Sequence, residues 1–497
     1  MQIEKIISPL GLLLCVAGLA MALPALVDLA QGNRDWQVFL ISAFVAGGAG
    51  LFLHLGFRDR HSGWNRRDGF LFVSLSWLVM CSAGALPFYF AEVKMTPVDA
   101  FFEIRVGSHH HGFNRDVAAL DRLPPGILLW RSLLQWIGGV GIVVLSVFLF
   151  PFLKLGGQSL FAMESSDTAE KSFSRFEEYA VRILWLYVGL TLACILTYNA
   201  LGMSFFDAAN HAMATLSTGG YGTSDISFAK FNSVPILWAG TVFMFLGGMP
   251  FMFMLFMLSS KRRFFDIQIA YYIGIIAASV FFLLIVLQAN GTPVTSTLLA
   301  SVTFTVVSII TTTGFVFQDF GVWPTSALFL IGLLTFLGAC SGSTAGGLKM
   351  FRIVVFVAVC KSAVSRLLSP SSVRSMKYGD HVIDEDVVIA VIAFTLLYFA
   401  TFLIGGVILT LTGNDLITAF SGSATALANV GPGLGGKIGP AFNFAGMSDI
   451  DKVVLSIEML LGRLEIMSVV VMFAPGFWRD LTLAMANALR AQTRSMA

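Results

Sequence analysis

Charge is what this sequence has least of. Lys, Arg, Asp and Glu together make up 12 % of its 497 residues, against 56 % hydrophobic residues and 46 Phe. A soluble protein of this length could not cover its surface with so few charges, which excludes a string of soluble domains. Cysteine is sparse too. Cys15, Cys81, Cys194, Cys340 and Cys360 lie in or beside apolar stretches without C-x-x-C spacing, so they read as buried, inert thiols and imply neither a disulfide framework nor a zinc site. No basic run is long enough to suggest nucleic acid, and the net charge of +2 says little. The apolar run from Ile6 to about Ala30 is too long for a signal-peptide core and lacks a convincing cleavage site, and reads as a retained first helix.

What the chain has in abundance is apolar stretches of spanning length, the mark of an all-α polytopic membrane protein. Ten segments qualify: 6–30, 36–57, 69–91, 126–153, 179–202, 233–259, 266–289, 323–358, 385–412 and 452–475. Lys and Arg cluster in alternate linkers, for example Arg58, Arg60, Arg66 and Arg67, or Lys261, Arg262 and Arg263, whereas the linker at 290–322 has none. By the positive-inside rule both termini are cytoplasmic.

After the first two spans, every outside linker carries a glycine behind small or polar residues: His-His-His-Gly-Phe at 109–113, Ser-Thr-Gly-Gly-Tyr at 217–221, Thr-Thr-Thr-Gly-Phe at 311–315 and Ala-Asn-Val-Gly-Pro-Gly at 428–433. Gly112, Gly220, Gly314 and Gly431 are spaced 108, 94 and 117 residues apart, which predicts an internal repeat. Thirteen residues before each stands Asp99, Asp207, Ser301 or Thr418, taken as the N-cap of a short helix. Downstream by 26, 27, 24 and 31 residues stand Gly138, Gly247, Gly338 and Gly462, each expected in mid-span. The predicted unit is helix, short helix, glycine segment, helix. The boundaries expected are an N-terminal helix pair at 1–67 and pore repeats at 68–160, 161–263, 264–378 and 379–497.

Each unit crosses the membrane an even number of times, so all four point the same way and can close around one axis. A re-entrant helix that ends in coil leaves carbonyls unpaired, which hydrocarbon does not tolerate; they must face water or an ion. Successive carbonyls can point inward only where some residues take positive φ, which glycine does at least cost. Carbonyl rings and the C-terminal ends of four short helices favour a cation over an anion, and discriminate K⁺ from Na⁺ weakly. The filter residues expected are His111 and Gly112; Thr218, Gly219 and Gly220; Thr312, Thr313 and Gly314; and Asn429, Val430 and Gly431.

These segments, together with Leu-Pro-Pro-Gly-Ile-Leu-Leu-Trp-Arg-Ser-Leu-Leu-Gln-Trp-Ile-Gly-Gly at 123–139, Cys-Ser-Gly-Ser-Thr-Ala-Gly-Gly-Leu-Lys at 340–349 and Leu-Gly-Arg-Leu-Glu at 461–465, carry a resemblance. Over essentially its whole length the chain resembles the Trk/Ktr/HKT superfamily of cation transporters, in the bacterial Trk-type branch of potassium uptake subunits. The resemblance implies potassium uptake rather than enzyme activity, no cofactor in this chain, and K⁺ as the transported ion. It also implies a homodimer in the bacterial inner membrane, in contact with lipid, and a cytosolic nucleotide-binding regulatory partner. For Gly338, Ser341, Gly342, Ser343, Thr344, Ala345, Gly346 and Gly347 it implies an intramembrane gating loop, where the residues alone also allow close helix packing through small side chains. An intramembrane charge such as Arg463 faces a cavity or a partner; it reads as a cationic constriction beneath the filter or as half of a structural pair.

The first filter departs from the Thr-Thr-Thr-Gly-like pattern. One codon choice for His109–Val117, CAC-CAC-CAC-GGG-TTC-AAC-CGT-GAT-GTC, contains in the next frame Thr-Thr-Thr-Gly-Ser-Thr-Val-Met, so we read this stretch as a frame shift between two compensating indels. A metal or pH-sensitive site at His109–His111 is the rival reading, but adjacent histidines do not easily share one ion and no carboxylate or Cys cluster accompanies them. A metal-dependent membrane enzyme lacks intramembrane partners at helical spacing, and a carrier built on inverted repeats conflicts with parallel ones. Coupling to Na⁺ or H⁺ on the same fold stays open.

Overall fold

The computed structural model describes residues 4–57, 66–92, 95–106, 120–153, 169–259, 266–369, 376–379 and 381–478. Apart from one hairpin, Lys377–Tyr378 with His381–Val382, these residues form helices and loops. Six helices among them are long and apolar enough to cross a membrane: Glu4–Ala30, Trp36–Gly56, Arg67–Phe90, Glu178–Ala200, Ile267–Ala289 and Glu385–Leu411. The helix Pro125–Leu153 adds a further 29 residues.

Three expected spans are not continuous. The segment 233–259 is two helices, Val234–Gly247 and Phe251–Leu258, bent by 96°. The segment 323–358 holds Thr325–Phe336 and Met350–Leu368 with coil between them, and 452–475 divides into Asp449–Arg463 and Ile466–Phe473. Each break begins within two residues of a glycine that the repeat places in mid-span. At the first, Pro250 also drives the residue before it out of helical geometry.

The chain divides into two compact units. The first comprises residues 1–101, 124–127 and 464–497, so parts of the first and fourth expected repeats go with the N-terminal helices. Within it, Glu4–Ala20 packs on Trp36–Gly56 through facing glycines. A Cβ on Gly50 would lie 2.6 Å from the Gly11 carbonyl oxygen, and one on Gly18 2.8 Å from that of Ala43. Small residues are how helices approach closely where burial in lipid gives no hydrophobic drive.

The second unit, residues 102–123 and 128–463, contains the second, third and fourth glycine segments. Its packing is glycine-dependent in a repeating way. A Cβ on Gly139 would meet Ser217, one on Gly248 would meet Thr311, and one on Gly346 would meet the Ala428 carbonyl. Each is a helix or break of one repeat crossing the end of the next repeat's short helix. A side chain in any of these positions would wedge the repeats apart.

Candidate functional site

The four short helices are Pro97–Val106, Phe205–Leu216, Ser296–Ile310 and Leu416–Ala428. They begin before the expected caps. Ser204 Oγ accepts from the Asp207 amide, Thr96 Oγ1 from that of Asp99, Thr295 Oγ1 from that of Leu298 and Asp415 Oδ2 from that of Thr418. Asp99 and Asp207 thus sit three residues inside, each carboxylate accepting from the hydroxyl that caps the helix (2.8 and 2.9 Å), at capping-box spacing but through the cap's hydroxyl rather than its backbone N–H. Thr418 occupies the corresponding place behind Asp415, and Ser301 is an interior residue of its helix.

Where each helix ends, the backbone repeats one geometry. Thr218, Thr312 and Asn429 take φ of 50°, 55° and 55°, and Gly220, Gly314 and Gly431 take 79°, 78° and 132°. The amides between them turn back to the helix: Gly219 to the Ala214 carbonyl at 2.8 Å, Thr313 to that of Ser308 at 2.9 Å, and Val430 to that of Thr425 at 3.0 Å. Gly431 N–H donates instead to Thr425 Oγ1 at 2.7 Å. The carbonyls of Thr218, Thr312 and Asn429, which share the peptide planes of those backward-directed amides, therefore point away from the short helices. The turns of the second and third repeats adjoin, since a Cβ on Gly220 would run into the Thr313 carbonyl oxygen. His111 and Gly112 of the first repeat lie outside the described residues, as does the whole stretch 107–119.

The second turn is braced by side chains that the repeat comparison does not single out. Gln135 Nε2 donates to the Gly219 carbonyl at 2.7 Å, and its Oε1 accepts from the Tyr221 amide at 3.1 Å. Behind them Arg131 and Glu103 form a buried ion pair at 2.7 Å. The guanidinium carbon lies 3.9 Å from the Tyr221 ring centroid, and the Tyr221 hydroxyl donates to the Glu103 carbonyl. The intramembrane-charge rule that picks out Arg463 would have found Arg131 in the span 126–153 as well.

The break at 338–349 lies against all three turns. It is closed at its base, with Gly338 N–H donating to Leu348 O at 2.9 Å and Leu348 N–H to Phe336 O at 3.0 Å, and Lys349 Nζ donates to the Ala345 carbonyl. Gly342 and Gly347 supply φ of 81° and 66°. Thr344 Oγ1 is 3.2 Å from Thr218 Oγ1 and 3.0 Å from the Leu216 carbonyl oxygen. Gly346 N–H donates to Thr312 Oγ1 at 2.7 Å, and Ala428 abuts the same glycine. Ser343 Oγ donates to the Cys340 carbonyl at 2.7 Å, and Ser341 N–H donates to Gln268 Oε1 at 2.9 Å. From the fourth repeat, Arg463 Nη1 donates to the Thr344 carbonyl at 3.0 Å. Of the two readings open for Arg463, the described geometry gives it a backbone carbonyl of the break as partner.

No group of three or more His, Cys, Asp or Glu side chains placed to hold a metal occurs among the described residues.

A family model described as "TrkH: Cation transport protein" matches residues 37–479. The Trk system potassium uptake protein TrkI of Halomonas elongata is 37 % identical over 481 residues, covering 96 % of this chain and 97 % of that protein. TrkH of Escherichia coli K12, named likewise, is 35 % identical over 489 residues, covering 97 % and 100 %. The crystal structure of the potassium transporter TrkH from Vibrio parahaemolyticus superposes with a TM-score of 0.87 at 33 % identity, over 96 % of this chain and all of that one.

Proposed function

Because this chain belongs to the TrkH family of cation transport proteins, we propose that it takes up potassium across a membrane along a channel-like path, with backbone carbonyls standing in for the ion's hydration shell. The observation that carries this reading is the matched backbone of three repeats. In each, a positive-φ residue, an amide turned back to the short helix and a positive-φ glycine follow in order. Thr218, Gly219 and Gly220, Thr312, Thr313 and Gly314, and Asn429, Val430 and Gly431 form three sides of the filter; the first repeat, whose His111 and Gly112 lie outside the described residues, is assigned the fourth by the sequence repeat alone. Potassium is cargo here, and the chain needs no cofactor and performs no covalent chemistry.

Beneath the filter, Gly338 and the residues Ser341, Gly342, Ser343, Thr344, Ala345, Gly346 and Gly347 act as the gate. Arg463 holds it closed and adds a positive charge to the path. The hydrogen bonds from the break to two turns and to Arg463 support that role. The working form is a homodimer in the bacterial inner membrane with both termini cytoplasmic, regulated by a cytosolic nucleotide-binding subunit. The family resemblance and the distribution of Lys and Arg support this arrangement.

Reconstitution into liposomes tests the function. Rubidium or potassium flux driven by the potassium gradient alone is the expected result; an obligatory requirement for a H⁺ or Na⁺ gradient would reject the channel-like path. Expression should also rescue growth of a potassium-uptake-deficient strain at low external K⁺.

A further inference from the structure

The gate reading leaves open what fixes the near end of the break, and the structure holds a chain of buried polar groups there. Asp266 caps the helix Ile267–Ala289, its Oδ1 accepting from the Gln268 amide at 3.1 Å. The same carboxylate does two further things. Its Oδ2 accepts from Gln268 Nε2 at 2.7 Å, and its Oδ1 from the Tyr378 hydroxyl at 2.7 Å. The other end of the Gln268 amide, Oε1, accepts from the Ser341 N–H at 2.9 Å. With a donor at one end and an acceptor at the other, the amide of Gln268 has one orientation only.

All four residues are buried, Asp266 at 3 %, Gln268 at 2 %, Tyr378 at 6 % and Ser341 at 4 % exposure. A polar chain so enclosed cannot exchange its partners for water, so losing one link leaves the next unsatisfied. Tyr378 belongs to the hairpin Lys377–Tyr378 and His381–Val382, whose remaining residues are exposed. Its ring packs 5.3 Å from that of Phe351, just beyond the break. The chain therefore runs from an exposed hairpin, through a helix cap, to the main chain of the break.

We propose that Tyr378, Asp266 and Gln268 form a hydrogen-bonded strut that positions Ser341, so that displacement of the hairpin shifts the gate between closed and open. The inference rests on the gate reading above and adds the regulation of that same site. The three residues are positioning residues; none touches the ion. In the present geometry the break is bonded to the turns and the strut is intact, so the strut favours the closed gate.

The test is single-channel recording from reconstituted protein carrying Gln268→Leu, Tyr378→Phe, both together, and Arg463→Ala. Tyr378→Phe keeps the ring on Phe351 and removes one hydroxyl, so it spares the fold. Open probability is read per channel and does not depend on how much protein folds. Each strut variant should raise open probability at least about 2-fold, the lower bound for losing one hydrogen bond of the strut, with unitary conductance and K⁺/Na⁺ permeability ratio unchanged. The double variant should equal Gln268→Leu alone, because links in series break once. Unchanged open probability in both strut variants, or multiplying effects in the double, overturns the strut while a raised open probability in Arg463→Ala leaves the gate reading standing. An Arg463→Ala channel gated like the wild type sinks the gate reading and the strut with it.

Discussion

Arg463 Nη1 lies 3.0 Å from the Thr344 carbonyl oxygen, tying the end of the helix Asp449–Arg463 in the fourth repeat to the middle of the break in the third. A charge-assisted hydrogen bond of this kind contributes about 1.5–3 kcal/mol. Arg463→Ala removes both the tie and the positive charge. Basal rubidium flux into proteoliposomes should rise at least about tenfold, a factor equal to roughly 1.4 kcal/mol, while Arg463→Lys should stay near the wild-type rate. A fall in flux in the alanine variant would contradict the gate assignment.

Gly220 stands with φ of 79° where a Cβ would run into the Thr313 carbonyl oxygen. Gly220→Ala combines about 1–2 kcal/mol of left-handed backbone strain with a collision at a filter oxygen, so the two turns must separate. The expected outcome is a lower K⁺ flux and a Na⁺ permeability closer to that of K⁺. Bi-ionic reversal potentials measure this, and an unchanged K⁺/Na⁺ ratio would count against the filter assignment.

What could be read from the sequence follows from where glycine is irreplaceable. Gly220, Gly314 and Gly431 stand out by the small or polar residues before them and by their spacing, and the backbone gives each a positive φ. Thr218 and Thr312 were named as filter residues, but not as positive-φ residues: β-branched side chains disfavour that region, so no propensity rule marks them. The helix starts were placed three or more residues late because Asp99 and Asp207 share the chemistry of a cap, and only the reciprocal bonds to Thr96 and Ser204 distinguish the two positions. Hydropathy could not reveal the break after Gly247, because Met249 is as apolar as the helices it separates, whereas the glycine- and serine-rich run 338–347 marks the break of the third repeat in the sequence itself. Pro250 and the charged residues Arg463 and Glu465 within an apolar stretch are signals present in the sequence. Gln135, Glu103 and Arg131 are paired through tertiary contacts between distant segments, which a repeat comparison does not see.

Gln135 bridges Gly219 O and Tyr221 N with one amide. Gln135→Glu replaces the donor by a second acceptor facing the Gly219 carbonyl, so a bond becomes a repulsion, at a cost of about 1–3 kcal/mol for the unsatisfied buried group. Gly219 should then rotate, and Na⁺ should compete with rubidium uptake at lower concentration than in the wild type. Equal inhibition by Na⁺ in both proteins would show that the brace does not set the filter.

In the N-terminal unit, a Cβ on Gly50 would lie 2.6 Å from the Gly11 carbonyl oxygen and 2.8 Å from the Cys15 amide nitrogen, whereas Gly48 has no atom within 4 Å of its Cβ position. Gly50→Ala should push the helices Glu4–Ala20 and Trp36–Gly56 apart and destabilise the protein by about 1–3 kcal/mol, as overpacking does. Gly48→Ala should change nothing. Thermal unfolding in detergent, followed by loss of the monodisperse peak, compares the two, and equal midpoints would refute the close-packing argument.

Ser423 has one hydroxyl proton and two neighbours that could take it, the Phe402 carbonyl at 2.9 Å and Glu458 Oε1 at 2.6 Å. The carbonyl can only accept. If both contacts are hydrogen bonds, the carboxyl of Glu458 donates to Ser423, which in turn donates to Phe402. Glu458 is buried at 3 % exposure, and a Cβ on Gly405 would strike its carboxyl group, so the side chain has no room to turn away. Glutamine can supply the same donor in the same volume. Glu458→Gln should therefore melt within a degree or two of the wild type, while Glu458→Ala, which leaves a buried hydroxyl with one partner fewer, should lose about 1–3 kcal/mol. Should glutamine prove as damaging as alanine, the group would be acting as an anion and the donor chain would be wrong.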